Sequence, residues 1–172
     1  MDKSKAFTII ELIVTITVIF ILVVVAIPAY NTYDKQLKIK KETANIFEVL
    51  KLAKKKAMSL DFSNPAVTPD PATGYVCDNF TGYRVAFNST SYSLSIGCSG
   101  SYQQIQAYNI ISPNTSIITA TPFNIDFPGL GINTNITTPT IRIKNTIISQ
   151  CEDITLSTNG VIEINQTLIS CP

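Results

Sequence analysis

Phe7–Ala29 reads FTIIELIVTITVIFILVVVAIPA, and within it Glu11 is the single charged residue. About 20 apolar residues rising 1.5 Å each are enough to cross the ~30 Å hydrocarbon core of a bilayer. The stretch therefore predicts a membrane-spanning helix over residues 7–29. A cleaved secretory signal has an apolar core of only about 7 to 15 residues followed by a small-residue cleavage site. Here the run is longer, and helical patterning continues past Ala26–Ala29 through Tyr30, Tyr33 and Leu37. Lys3 and Lys5 precede the run while Lys35, Lys38, Lys40 and Lys41 follow it, so charge bias alone does not fix the orientation.

Reading outward toward the C-terminus, Ile46, Val49, Leu50, Ala53, Ala57 and Leu60 recur at helical spacing, with Lys51, Lys54, Lys55 and Lys56 largely off that stripe. This is an amphipathic pattern whose lysines read as a solvated face. No glycine occurs between Phe7 and Asp61, and Pro28 is the only proline there. One helix over residues 7–61 is expected, loosened where Pro28 lacks a backbone donor. Asn64, Pro65, Pro69, Asp70, Pro71 and Gly74 then end it in a loop.

After the loop the hydrophobic period changes from helical to twofold. Tyr83-Val85-Phe87, Tyr92-Leu94-Ile96, Phe123-Ile125-Phe127, Ile141-Ile143, Ile154-Leu156 and Ile162-Ile164 alternate with polar neighbours, as half-buried antiparallel strands do. Asn159-Gly160 suits a tight hairpin turn between the last two runs. Gly97–Thr119 is less regular and stays partly unassigned. The expected fold class is α+β: a long N-terminal helix whose second half packs on an antiparallel sheet formed by residues 62–172.

Composition narrows the functional classes. The chain has 172 residues and a formal charge of +1, but ten of its thirteen basic residues precede Phe62. The head keeps Arg84, Arg142 and Lys144 against six acidic residues, a balance of −3 that disfavours non-specific binding of nucleic acid. Cys77, Cys98, Cys151 and Cys171 all follow the apolar segment, on the side that would be exported. An even count there suggests disulfides. Three pairings are open; Cys77–Cys98 and Cys151–Cys171 are favoured because each pair brackets a strand-like stretch. With no histidine and no CxxC spacing, neither a metal nor a cofactor is expected.

Lys5-Ala6-Phe7-Thr8-Ile9-Ile10-Glu11-Leu12, followed by the apolar run with Pro28, resembles the processing site and stalk of type IV pilins and pseudopilins. The resemblance implies a leader over residues 1–6, cut between Ala6 and Phe7 by a prepilin peptidase, and methylation of the new Phe7 amino group. Ala6 stands where the pattern usually has Gly; both are small. Glu11 would pair with the Phe7 amino group of a neighbouring subunit, and Pro28 belongs to the assembling stalk. The other partners implied are further pilin or pseudopilin subunits and the inner membrane, with the head extracytoplasmic and later carried on a pilus or pseudopilus. Phe123–Gly131, Ile141-Arg142-Ile143 and Ile154–Ile162 are similar to the closing strands of the GspH/FimT class of minor pilins and pseudopilins. Some members of that class bind DNA through arginines after the last turn's glycine. Here Val161, Ile162 and Glu163 follow Gly160, so that role does not carry over.

The leading expectation is a structural subunit, read as a minor one, of a type IV pilus, type II secretion pseudopilus or competence fibre. A DNA-uptake or adhesive tip protein on the same stalk is one alternative, for which a basic groove on the head would speak. A membrane-tethered extracytoplasmic enzyme is the other. Against an enzyme stand the missing histidine, the lack of a GxSxG elbow and the lack of paired carboxylates beyond Glu152-Asp153, which read as a solvated turn beside Cys151.

Overall fold

A computed structural model describes residues 8–60, 77, 79–98, 100–119, 122–129, 140–157 and 160–171. The leader, Ala6, Phe7, the proline-rich loop and Asn159 of the expected hairpin lie outside the described residues. Helix α1 runs Ile9–Ser59 without interruption, passing through Pro28. Thr8 starts it from an extended conformation, its Oγ1 accepting from the Glu11 backbone N–H. Leu60 ends it in the left-handed region, its own N–H donating to the Lys56 carbonyl.

The two halves of α1 have different surroundings. Every described residue from Thr8 to Tyr33 is exposed. In the second half Ile39, Glu42, Thr43, Ile46, Val49, Leu50, Ala53 and Ala57 are buried, at the three- and four-residue spacing that places side chains on one face. This stripe starts earlier than the apolar pattern suggested and takes in Glu42 and Thr43; Leu60 is half-buried at its end. The lysines are not uniformly solvated either. Lys51 lies 4.2 Å from the Phe47 ring centroid, and half-buried Lys54 donates to the Gly160 carbonyl at 2.7 Å.

The head contains two four-stranded antiparallel sheets rather than the one sheet expected. The first is built from β1 (Phe80–Phe87), β2 (Ser91–Cys98), β3 (Ser101–Asn109) and β5 (Phe123–Pro128) in the order β3-β2-β1-β5. The second holds β4 (Thr115–Ile117), β6 (Thr140–Asn145), β7 (Gln150–Leu156) and β8 (Ile162–Ser170) in the order β4-β6-β7-β8. The irregular stretch Gly97–Thr119 supplies β3 and β4. Helix α1 lies against both sheets, touching β1 and β5 of one and β6, β7 and β8 of the other.

Register explains why the alternating runs form the core. Tyr83 faces Ile96 and Phe127 on its two neighbours, and Val85 faces Leu94 and Ile125; all six are buried. Phe87 stacks on Phe123 at 4.8 Å and on Tyr92 at 6.0 Å. Cross-strand apolar and aromatic pairs of this kind are the unit of sheet stabilisation. Gly82, at φ +137°, is required where β1 meets β5, since a Cβ there would sit 2.2 Å from the Phe127 carbonyl oxygen.

Candidate assembly site and the head that carries it

Thr8 and Glu11 form the beginning of the helix. A threonine cap followed three residues later by glutamate is the sequence pattern of a capping box, and the Thr8 Oγ1 to Glu11 N distance is 3.3 Å. The signal for this cap is present in the sequence as Thr8-x-x-Glu11 ahead of an apolar run, within the same residues that form the processing motif. Glu11 lies in the first turn, where the partial positive charge of the helix N-terminus favours a carboxylate. No basic residue occurs between Ala6 and Asp34. The apolar segment thus brings no side-chain cation of its own to Glu11.

The rest of the exposed half is chemically suited to an apolar surrounding. Thr15 donates to the Leu12 carbonyl and Thr17 to the Ile13 carbonyl, both at 2.8 Å, so neither hydroxyl is left unpaired. Large side chains from Ile9 to Ile27 are 45–80% exposed. A soluble domain does not present so continuous an apolar surface; a membrane or a bundle of like helices covers one.

The structure joins Cys77 to Cys98 and Cys151 to Cys171, with Cα separations of 5.1 and 5.8 Å. The first disulfide ties the beginning of the head to the end of β2, and the second clasps β7 to the residue after β8.

Glu152 and Asp153 are not a solvated turn. They sit inside β7, 3% and 8% exposed, because strand pairing through Arg142↔Asp153 and Ile143↔Glu152 continues across them. Asp153 takes Arg142 in a two-point ion pair at 2.8 Å for both contacts. Arg84 is held the same way by Asp126, at 2.6 and 2.8 Å, and lies 3.6 Å over the Tyr102 ring. Both arginines of the head are therefore engaged within it.

Glu152 points the other way, toward α1. Burial pushes its carboxyl above the usual carboxylate range, against lowering contributions from Thr43 and Lys40. Thr43 has one hydroxyl proton, and its oxygen lies 3.0 Å from the Ile39 carbonyl. That proton can serve Glu152 only by leaving Ile39. Among the described residues Glu152 Oε2 has no hydrogen-bond partner. Glu42, 2% exposed, is better satisfied: Ser112 donates to its Oε1 through the backbone N–H at 3.1 Å and the hydroxyl at 2.8 Å. Burial, assisted by Glu42 and Tyr108, raises the neighbouring Tyr92 hydroxyl to about 12.

Residues 1–27 match the family model of the prokaryotic N-terminal methylation motif. The chain is type IV pilin-like. No curated protein and no solved structure matches it. The motif ends just before Pro28, so the match covers the leader and the exposed half of α1. The pilin-like architecture follows from the structure: one long N-terminal apolar helix, then antiparallel sheets packed on its second half. The motif supports a type IV pilin-like substrate of prepilin peptidase that assembles with other pilins, and the apolar helix fits a membrane anchor.

Proposed function

We propose that this chain is a minor structural subunit of a type IV pilus, type II secretion pseudopilus or competence fibre. Prepilin peptidase cuts between Ala6 and Phe7 on the cytoplasmic side of the inner membrane, and the Phe7 amino group is methylated. The subunit then waits in that membrane with residues 7–29 across it and the head outside. On assembly the exposed half of α1, with Pro28, enters a bundle of like helices, and Glu11 pairs with the Phe7 amino group of a neighbour. The carrying observation is the continuity of the matched motif with a helix whose first half is wholly exposed while its second half is built into the head. The runs similar to the GspH/FimT class, which fall on β5 in one sheet and on β6, β7 and the start of β8 in the other, support the minor role. The paired arginines support a head that does not grip DNA.

Glu11 supplies the test. Glu11→Ala removes a charge whose burial in a membrane helix costs roughly 2.5–3.5 kcal/mol if central, so insertion and cleavage should be unimpaired. What is lost is the countercharge for the Phe7 amino group inside an apolar bundle, where an unpaired charge costs several kcal/mol. Glu11→Gln should behave alike, since it keeps shape but not charge. Both variants should accumulate in membranes as processed protein and be depleted from sheared fibres. Wild-type levels of both in fibres would refute the pairing, and an intact Met1 by mass spectrometry would refute the processing.

A further inference from the structure

The contacts between α1 and the head fix which end of the head lies nearest the membrane. Gln36 meets Gln150, Lys40 and Thr43 neighbour Glu152, and Lys54 meets Gly160. Strand β7 thus climbs away from the apolar segment, and the turn before it, residues 146–149, is at the membrane-facing end. Gln36 is seven residues beyond Ala29, about 10 Å along the helix. The headgroup layer is about 5–7 Å thick on each side of the hydrocarbon core. A typical helix tilt of about 20° lowers a point ~10 Å off the axis by several Å more.

That turn exposes an isoleucine. Ile147 is 56% exposed and Ile111, in the adjacent loop, 85%. The two loops are joined by the Thr146 N–H donating to the Asn114 carbonyl at 2.9 Å. Neither isoleucine is exposed through slack in the chain. Asn145, 1% exposed, accepts at Oδ1 from the N–H groups of Ile147 and Ile148 and donates through Nδ2 to Thr115. This clamp sends Ile148 against the core and Ile147 out. Beside Ile111, Ser112 is pinned by buried Glu42. Near this end α1 exposes Tyr30, Tyr33 and Leu37 and carries Lys35 and Lys41, besides Lys38, which pairs with Asp34 at 2.6 Å, and Lys40, which neighbours Glu152. Tyrosines at the headgroup level and lysines facing anionic lipid are the composition of a membrane–water interface.

We propose that, before assembly, the head rests on the bilayer that its own helix spans, with the Ile147 turn seated in the headgroup layer and the Ile111 loop above it. Each subunit is thereby held upright on the membrane, and leaving for a fibre requires this end of the head to lift off lipid. The proposal rests on the reading that residues 7–29 span the bilayer, and its test separates the two.

The sequence contains no tryptophan, so single-tryptophan variants of the full chain report one site each. Ile147→Trp, Ile111→Trp, Val161→Trp and Phe20→Trp are reconstituted in phosphatidylcholine–phosphatidylglycerol vesicles whose acyl chains are brominated near the headgroup or near the bilayer centre. Val161 is exposed at the far end of the head, beside Gly160, and Phe20 is mid-span. Emission from Ile147→Trp should shift to the blue and lose intensity to the shallow quencher. Ile111→Trp should respond less, Val161→Trp should match tryptophan in water, and Phe20→Trp should be quenched by the deep label. If Phe20→Trp is quenched while Ile147→Trp is no more quenched than Val161→Trp, the seated turn is wrong and the spanning helix stands. An unquenched Phe20→Trp overturns the spanning helix and the seated turn with it.

Discussion

Replacing Glu152 by methionine should make the head more stable at neutral pH, and the gain should shrink as the solution is acidified. Glu152 is buried between β7 and α1 with Oε2 unpartnered, and its carboxyl is pushed up chiefly by burial. A group whose folded value is raised holds its proton more tightly in the folded state than in the unfolded chain. Below the unfolded value both states carry the proton and ionisation costs nothing extra. As pH rises through the folded value, the stability that the proton supplied is lost. The wild type therefore suffers in the upper part of the range, while Glu152→Met, similar in length and without charge, does not. Leaving a buried acceptor unsatisfied costs about 1–3 kcal/mol, and a domain of this size moves its midpoint by a few °C per kcal/mol. The expected gain at pH 7 is thus several °C, shrinking on acidification to the part owed to the unpaired but protonated carboxyl. Thermal unfolding of the detergent-solubilised, disulfide-intact chain at a series of pH values measures it. A midpoint difference that is flat with pH, or that grows on acidification, would refute this account.

Further substitutions probe the head and its contact with α1. Gly82→Ala should destabilise by about 2–4 kcal/mol, because its Cβ would meet the Phe127 carbonyl and its φ is one that side chains resist; a lowered denaturant midpoint checks it. Glu42→Ala should cost about 2 kcal/mol by leaving two Ser112 donors unpaired. Amide exchange should then speed up locally at Ser112 and its neighbours. Replacing both cysteines of either disulfide, which close loops with separations of 21 and 20 residues, should each cost about 3 kcal/mol, read as equilibrium unfolding of the oxidised wild type against each double variant.

Local patterns were readable and non-local placements were not. The apolar run and the stripe Ile46–Ala57 declare one helix because both show their period within a few turns. The alternating runs Tyr83–Phe87, Tyr92–Ile96, Phe123–Phe127, Ile141–Ile143, Ile154–Leu156 and Ile162–Ile164 declare strands for the same reason. Nothing in those runs says which strand neighbours which, so two sheets could not be told from one. Strand β3 escaped because its sequence, SYQQIQAYN, has no clean alternation: a register shift between Leu94 and Ser95 places an extra residue, Ile105, opposite its partner strand. Glu152 and Asp153 misled because adjacent acids ordinarily mark solvent. Their burial depends on Arg142, eleven residues away, and on Thr43 and Lys40 of the distant helix. At the assembly end, the Glu11 chemistry was visible because one charge in an apolar run needs an explanation.

On the proposed fibre, the same irregularities that hid parts of the head would keep neighbouring heads from pairing strand to strand. Each sheet ends in strands whose outer backbone groups could pair with another chain, a recognised route to aggregation. Among the described residues each of the four edge strands carries an interruption. Strand β3 carries the extra residue at Ile105, β5 ends at Pro128, and β4 is three residues long. On β8 the register jumps from Asn165 opposite Asp153 to Ile169 opposite Cys151, which bends the strand next to Glu152. Specific association is left to the exposed half of α1, whose continuous apolar surface is of another kind altogether. In the proposed fibre subunit, interrupted sheet edges would limit strand addition between heads while the continuous apolar surface of α1 is left to bundle with its like.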